Sequence, residues 1–132
     1  MATERIEETI LRNLIYDEEF YRKVVPFVKA DYFIELQERV IFEEISDFST
    51  KYDKNPTKEV LNINLQNRSD LTDETFQQSL TLIKGYTDEW VDKDWLVDST
   101  EKWCQDRAIY LALMQSIKIA DGGDSKLDKG AI

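Results

Sequence analysis

Apolar side chains recur along this chain at intervals of three and four, the spacing of one face of an amphipathic helix. Ile6, Ile10 and Leu14 fall four apart, with Leu11 and Ile15 beside them, and predict a first helix. Asp17 stands where a cap of a second helix would stand, with Tyr16 before it and Tyr21 at the fourth helical position as in a hydrophobic staple. That helix should stop near Pro26. The turn Asp31-Tyr32-Phe33 leads into a third helix with the face Ile41, Ile45, Phe48 and Tyr52, closed by Asn55-Pro56.

Thr57 is a candidate cap for a shorter helix through Val60, Leu61 and Leu65, although LNINL also alternates apolar and polar as a strand would. Thr72 should cap the next helix, with Leu71 and Phe76 at staple positions and Leu80 and Ile83 following. The last helix should run from about Lys93 to Ala120 and stop at Gly122-Gly123, leaving 121–130 as a polar loop.

Acid-then-base pairs at i, i+4 mark the same helices: Glu8/Arg12, Glu18/Arg22, Glu19/Lys23, Glu35/Arg39, Asp47/Lys51 and Asp98/Lys102. Each stabilises a helix by only about 0.2–0.5 kcal/mol. No Asn-Gly or Asp-Gly hairpin signal separates β-branched runs, since Asp121-Gly122 follows a helix. The pattern predicts an all-α fold of about five to six helices: a small globular bundle over 1–92 that ends in one long helix over 93–120.

Charge narrows the partners. The 132 residues carry 17 basic and 27 acidic side chains, a formal net charge of -10, split evenly between the two halves. No basic block is present to neutralise phosphates, so tight nucleic-acid binding by this chain is not expected, nor adhesion to an anionic membrane. An acidic mimic of DNA is the sharper reading of that charge; a solvated acidic surface is the plainer and favoured one. No apolar run approaches membrane-spanning length and the start MATERIEETI is no signal peptide, so a soluble cytoplasmic protein is expected.

Absent residues narrow the chemistry. There is no histidine, which removes His-based triads and His-containing zinc sites. Only four glycines exist, three of them in the last eleven residues, and no phosphate-binding glycine loop can be written. Paired carboxylates such as Glu43-Glu44 lie next to bases or opposite apolar faces, a poor setting for an acid–base dyad. A calcium loop begun at Asp92 fails, because Leu96 takes a ligand position and Val97 the glycine position. Cys104 lacks a histidine to ionise it; Arg107 one turn on could lower its pKa slightly, but a packing role is favoured. No catalytic, cofactor-binding or metal-binding residue is assigned.

The last helix carries the most information. Leu96, Trp103, Tyr110 and Ile117 recur every seven residues, with Leu113, Met114 and Ala120 beside them. Two readings stand: packing across the bundle, or pairing with a second helix or subunit along a coiled-coil-like seam. Trp90 and Trp95 flank its start and are residues that interfaces use as anchors, though core tryptophans look the same in sequence. The candidate self-association or partner surface is Trp95, Leu96, Trp103, Tyr110, Leu113 and Ile117.

At this point the chain resembles a family. Glu8-Thr9-Ile10-Leu11 with Leu14 and Asp17 is similar to the first helix of the N-terminal domain of DnaB-type replicative DNA helicases. The spacing continues through Asp31-Tyr32-Phe33, Ile41-Phe42 with Ile45, and Pro56 with Leu61 and Leu65. The replicative helicases of T-even-like phages share more: LIYDEEFYRKVVPF, Trp95-Leu96-Val97 with Thr100-Glu101-Lys102, and Gln105-Asp106-Arg107-Ala108. Bacterial members usually carry a glycine-containing turn where this chain has Asp70-Leu71-Thr72-Asp73, which favours the phage branch.

The resemblance implies a helical globule followed by a long helical hairpin, six of which pair into a trimer-of-dimers collar. It implies primase and a helicase loader as partners, with ATP and Mg confined to a separate motor domain, in a phage protein working in the host cytoplasm. Residues 93–120 would be the first hairpin arm, 121–132 the loop and the truncated start of the second arm, and the chain a fragment of a longer protein. The alternative is a stand-alone acidic adaptor that binds a replisome component.

Overall fold

The computed structural model describes residues 4–119. Among them are six α-helices and no strand: α1 (Ile6–Tyr16), α2 (Glu18–Val24), α3 (Leu36–Tyr52), α4 (Lys58–Gln66), α5 (Asp73–Gly85) and α6 (Lys93–Lys118). Two short 3-10 turns, Val25–Phe27 and Ala30–Tyr32, link α2 to α3. The expected glycine stop at Gly122-Gly123 and the loop and second-arm start over 121–132 lie outside the described residues.

Capping chemistry sets most boundaries. Asp17 ends α1 and caps α2, its carboxylate accepting from the Phe20 N–H, so one residue turns the chain between two helices. Thr57, Thr72 and Asp92 likewise accept from the N–H groups of Val60, Thr75 and Trp95 at the starts of α4, α5 and α6. The Thr57 cap and the apolar pair Leu61 and Leu65 make LNINL helical; both leucines are fully buried on one face. At the end of α3, Asp53 takes the left-handed conformation (φ 53°) that glycine usually fills. Its N–H donates to the Ser49 carbonyl at 2.8 Å.

The core forms around α1 and α3. Ile10, Leu11 and Leu14 of α1 meet Ile41, Phe42 and Ile45 of α3, closed by Leu61 and Leu65, Ile83 of α5 and Leu96 of α6. Phe48 and Tyr52, expected on the same face as Ile41 and Ile45, stack on each other at 4.7 Å near the end of the helix, where Tyr52 is exposed. Of the six i, i+4 pairs, Glu18–Arg22 and Glu19–Lys23 form among the described residues. Arg12 turns from Glu8 to Glu4, Arg39 donates to the Phe33 carbonyl, and Lys102 pairs with Asp106. Arg12 and Arg39 are drawn to groups outside the i, i+4 register, whereas Lys102 takes the i, i+4 neighbour on its other side.

Candidate partner surface on the last helix

α6 is divided along its length. Leu96, Thr100, Trp103 and Cys104 lie one or two turns apart on one face and are buried against the globule. Tyr32 and Phe33 form the receiving surface: their rings lie 5.9 and 4.9 Å from the Trp103 ring, the first edge-on, and Phe42 backs Phe33 at 5.4 Å. Arg107 makes a further tether, its Nε donating to the Tyr32 carbonyl at 2.7 Å.

Beyond that level most apolar residues lose their partners, and Leu111 alone still packs partly against the core. Ile109, Tyr110, Leu113, Met114 and Ile117 are each about half exposed or more, on a segment that extends about 18 Å past Arg107. Tyr110, Leu113, Met114 and Ile117 follow the i, i+3, i+4, i+7 rule and make one continuous apolar stripe. The guanidinium of Arg107 lies 4.7 Å from the Tyr110 ring centre, which orients that ring at the base of the stripe.

The six candidate residues therefore do not form one surface. Leu96 and Trp103, 1% and 8% exposed, are core residues: the seam has its partner within the chain as far as Cys104. The physical reason is the Asp31-Tyr32-Phe33 turn, which delivers two aromatic rings under α6. Tyr110, Leu113 and Ile117 lie together on the projecting half, and Trp95 is exposed at the opposite end, near the cap. Ile109, 66% exposed, was outside the heptad count and joins Leu113 and Ile117 at four-residue spacing.

Cys104 is a packing residue. Burial pushes its thiol up to about 11, with the Glu101 charge acting the same way, and Arg107 is engaged with the Tyr32 carbonyl. Beside it, α2, the first 3-10 turn and α6 enclose a mostly apolar groove of about 410 Å3, lined by Val24, Phe27, Tyr32, Val97, Cys104 and Ala108 among others. No cluster of metal-ligating side chains occurs among the described residues.

The connection from α5 to α6 is a second feature that periodicity did not reveal. Residues 86–92 have no regular structure, yet their backbone is held from below. Arg12, 5% exposed, donates through Nη1 to the carbonyls of Thr87 and Glu89 at 3.2 and 2.9 Å, while its Nε bonds Glu4. The hydroxyl of Tyr16 and the ammonium of Lys58 both donate to the Tyr86 carbonyl. On this support Trp90 is 85% exposed.

No protein-family model matches the chain. It is 32% identical over 122 residues to a DnaB-like replicative helicase of Enterobacteria phage T4, a match that covers 92% of this chain and 26% of that protein. The chain thus spans about a quarter of the length of the curated relative it matches.

Proposed function

Taking as premise that the chain is homologous to part of a DnaB-like replicative helicase, we propose that it serves DNA replication as the self-associating collar of such an enzyme. The observation that carries this reading is the apolar stripe Tyr110, Leu113, Met114 and Ile117 on the projecting half of α6. Exposed stripes of this spacing are completed by a second helix, here one from another copy. The collar holds subunits together and offers docking surface to primase and a helicase loader in the host cytoplasm. ATP and Mg act elsewhere in the enzyme, so this segment binds neither and catalyses nothing itself. Its acidic surface suits protein partners rather than the phosphates of the strand.

Cross-linking tests the reading. With Cys104 replaced by Ser, a cysteine introduced as Leu113→Cys should give covalent dimers with a short bis-maleimide. A cysteine at exposed Lys51, on α3, should give none. Equal yields at both positions would count against a specific pairing face.

A further inference from the structure

We propose that the edge formed by the α5–α6 connection and the start of α6 is a docking site for a basic, partly apolar segment of a partner protein. Trp90 is the most exposed large apolar side chain among the described residues, and Trp95, also more than half exposed, lies five residues on. Beside them in the chain are the exposed residues Asp88, Glu89, Asp92 and Asp94. Asp92 is occupied as the cap of α6, but Asp88, Glu89 and Asp94 meet no cation among the described residues. The nearest candidates are committed elsewhere: Lys93 to Glu19 at 2.6 Å and Asp17 at 3.5 Å, Arg12 to Glu4 and two carbonyls.

An exposed indole next in the chain to unneutralised carboxylates matches arginine or lysine in two ways at once. The cation stacks on the ring and pairs with the acids, while the stem or a neighbouring apolar residue covers the indole. The support beneath the loop matters equally. With Arg12, Tyr16 and Lys58 holding the carbonyls of Tyr86, Thr87 and Glu89, Trp90 is presented on a fixed backbone, and binding does not have to order the loop first. A polyanion such as nucleic acid is repelled by the same carboxylates. This inference rests on the proposed docking role and names where and by what chemistry docking occurs; the stripe on distal α6 is a separate surface.

The test uses the whole chain and two short synthetic peptides of equal net charge, one of arginine, lysine and leucine, the other of lysine, serine and glycine. The indole N–H signals of the three tryptophans are followed by NMR during titration. The first peptide should move the signals of Trp90 and Trp95 and leave buried Trp103 in place. Trp90→Ala should weaken its binding about tenfold, as should Asp88→Asn combined with Glu89→Gln. The second peptide should bind distinctly less tightly. Equal affinity for both peptides, unchanged in Trp90→Ala, would reduce the effect to diffuse attraction by an acidic protein and overturn the proposal. Absence of binding by either peptide would overturn it as well. Sedimentation of Trp90→Ala separates the two readings: its self-association should be unaltered, whatever happens to peptide binding.

Discussion

Arg107 Nε donates to the Tyr32 carbonyl at 2.7 Å, and that bond marks the level at which α6 leaves the globule. Towards the start of the helix Leu96, Trp103 and Cys104 are buried inside the chain; towards the end Tyr110, Leu113 and Ile117 face outward. Arg107→Ala should cost about 1.5 kcal/mol of stability, the scale of a hydrogen bond from a charged donor. It should also loosen Tyr110, whose ring lies under the guanidinium. Urea denaturation followed by circular dichroism reads the first effect, and the intensity of Tyr110 ring signals in NMR the second.

Trp103 and Tyr110 are seven residues apart on the same helix, and the same substitution should be costly at the first site and nearly neutral at the second. Trp103→Ala leaves a void between Tyr32 and Phe33 and should destabilise the fold by about 3–5 kcal/mol. Tyr110→Ala should change the stability of the monomer by no more than about 0.5 kcal/mol, because the residue is 48% exposed. Comparable losses at both positions would mean that the helix is buried along its whole length.

Much of this fold is legible in the sequence because capping and periodicity are local signals. Asp17, Thr57 and Thr72 mark helix starts as the structure has them, and the all-α class follows from the 3.6-residue period of Ile10, Leu14, Ile41 and Ile45. What stayed hidden depends on long-range placement. A heptad cannot say where along α6 the burial ends, since that is decided by Tyr32 and Phe33, some seventy residues away. Arg12 reads as an ordinary helix-surface arginine beside Glu8, and only the fold brings the carbonyls of Thr87 and Glu89 to it. One signal was available for the tryptophan edge: four acids and two tryptophans between Asp88 and Trp95, with a single lysine.

Arg12 should be costly to remove. Arg12→Ala removes the donor to two carbonyls and to the Glu4 carboxylate, and empties the buried place of the guanidinium. A loss of at least about 2 kcal/mol is expected. Amide hydrogen exchange should rise over 86–92 more than in α3. Exchange raised uniformly would indicate general destabilisation and no particular hold on the loop.

Stability should increase on mild acidification. Burial raises the pKa of Glu38 despite its two 3.1 Å bonds from Arg5, and raises that of Glu44 despite Arg68. A carboxyl with a raised folded pKa holds its proton more tightly folded than unfolded. Its contribution is complete below the ordinary glutamate value of 4.5 and is lost as pH rises through the raised one. Exposed Glu19 and Asp70, held low by hydrogen bonds from Lys93 and Arg68, oppose this only at more acid pH. The urea midpoint should therefore climb as pH falls from neutral towards about 5. Glu38→Gln should flatten that climb while leaving the general relief of negative charge in place; an unchanged slope would remove Glu38 as a cause.

The central claim is that the outer half of α6 is an association surface, and sedimentation equilibrium of the chain beside its Leu113→Glu variant tests it most directly. The account predicts concentration-dependent association of the unaltered chain and a monomeric variant, with the same helical signal in both. Identical monomeric behaviour of the two chains over the accessible concentration range, or association untouched by the glutamate, would contradict it.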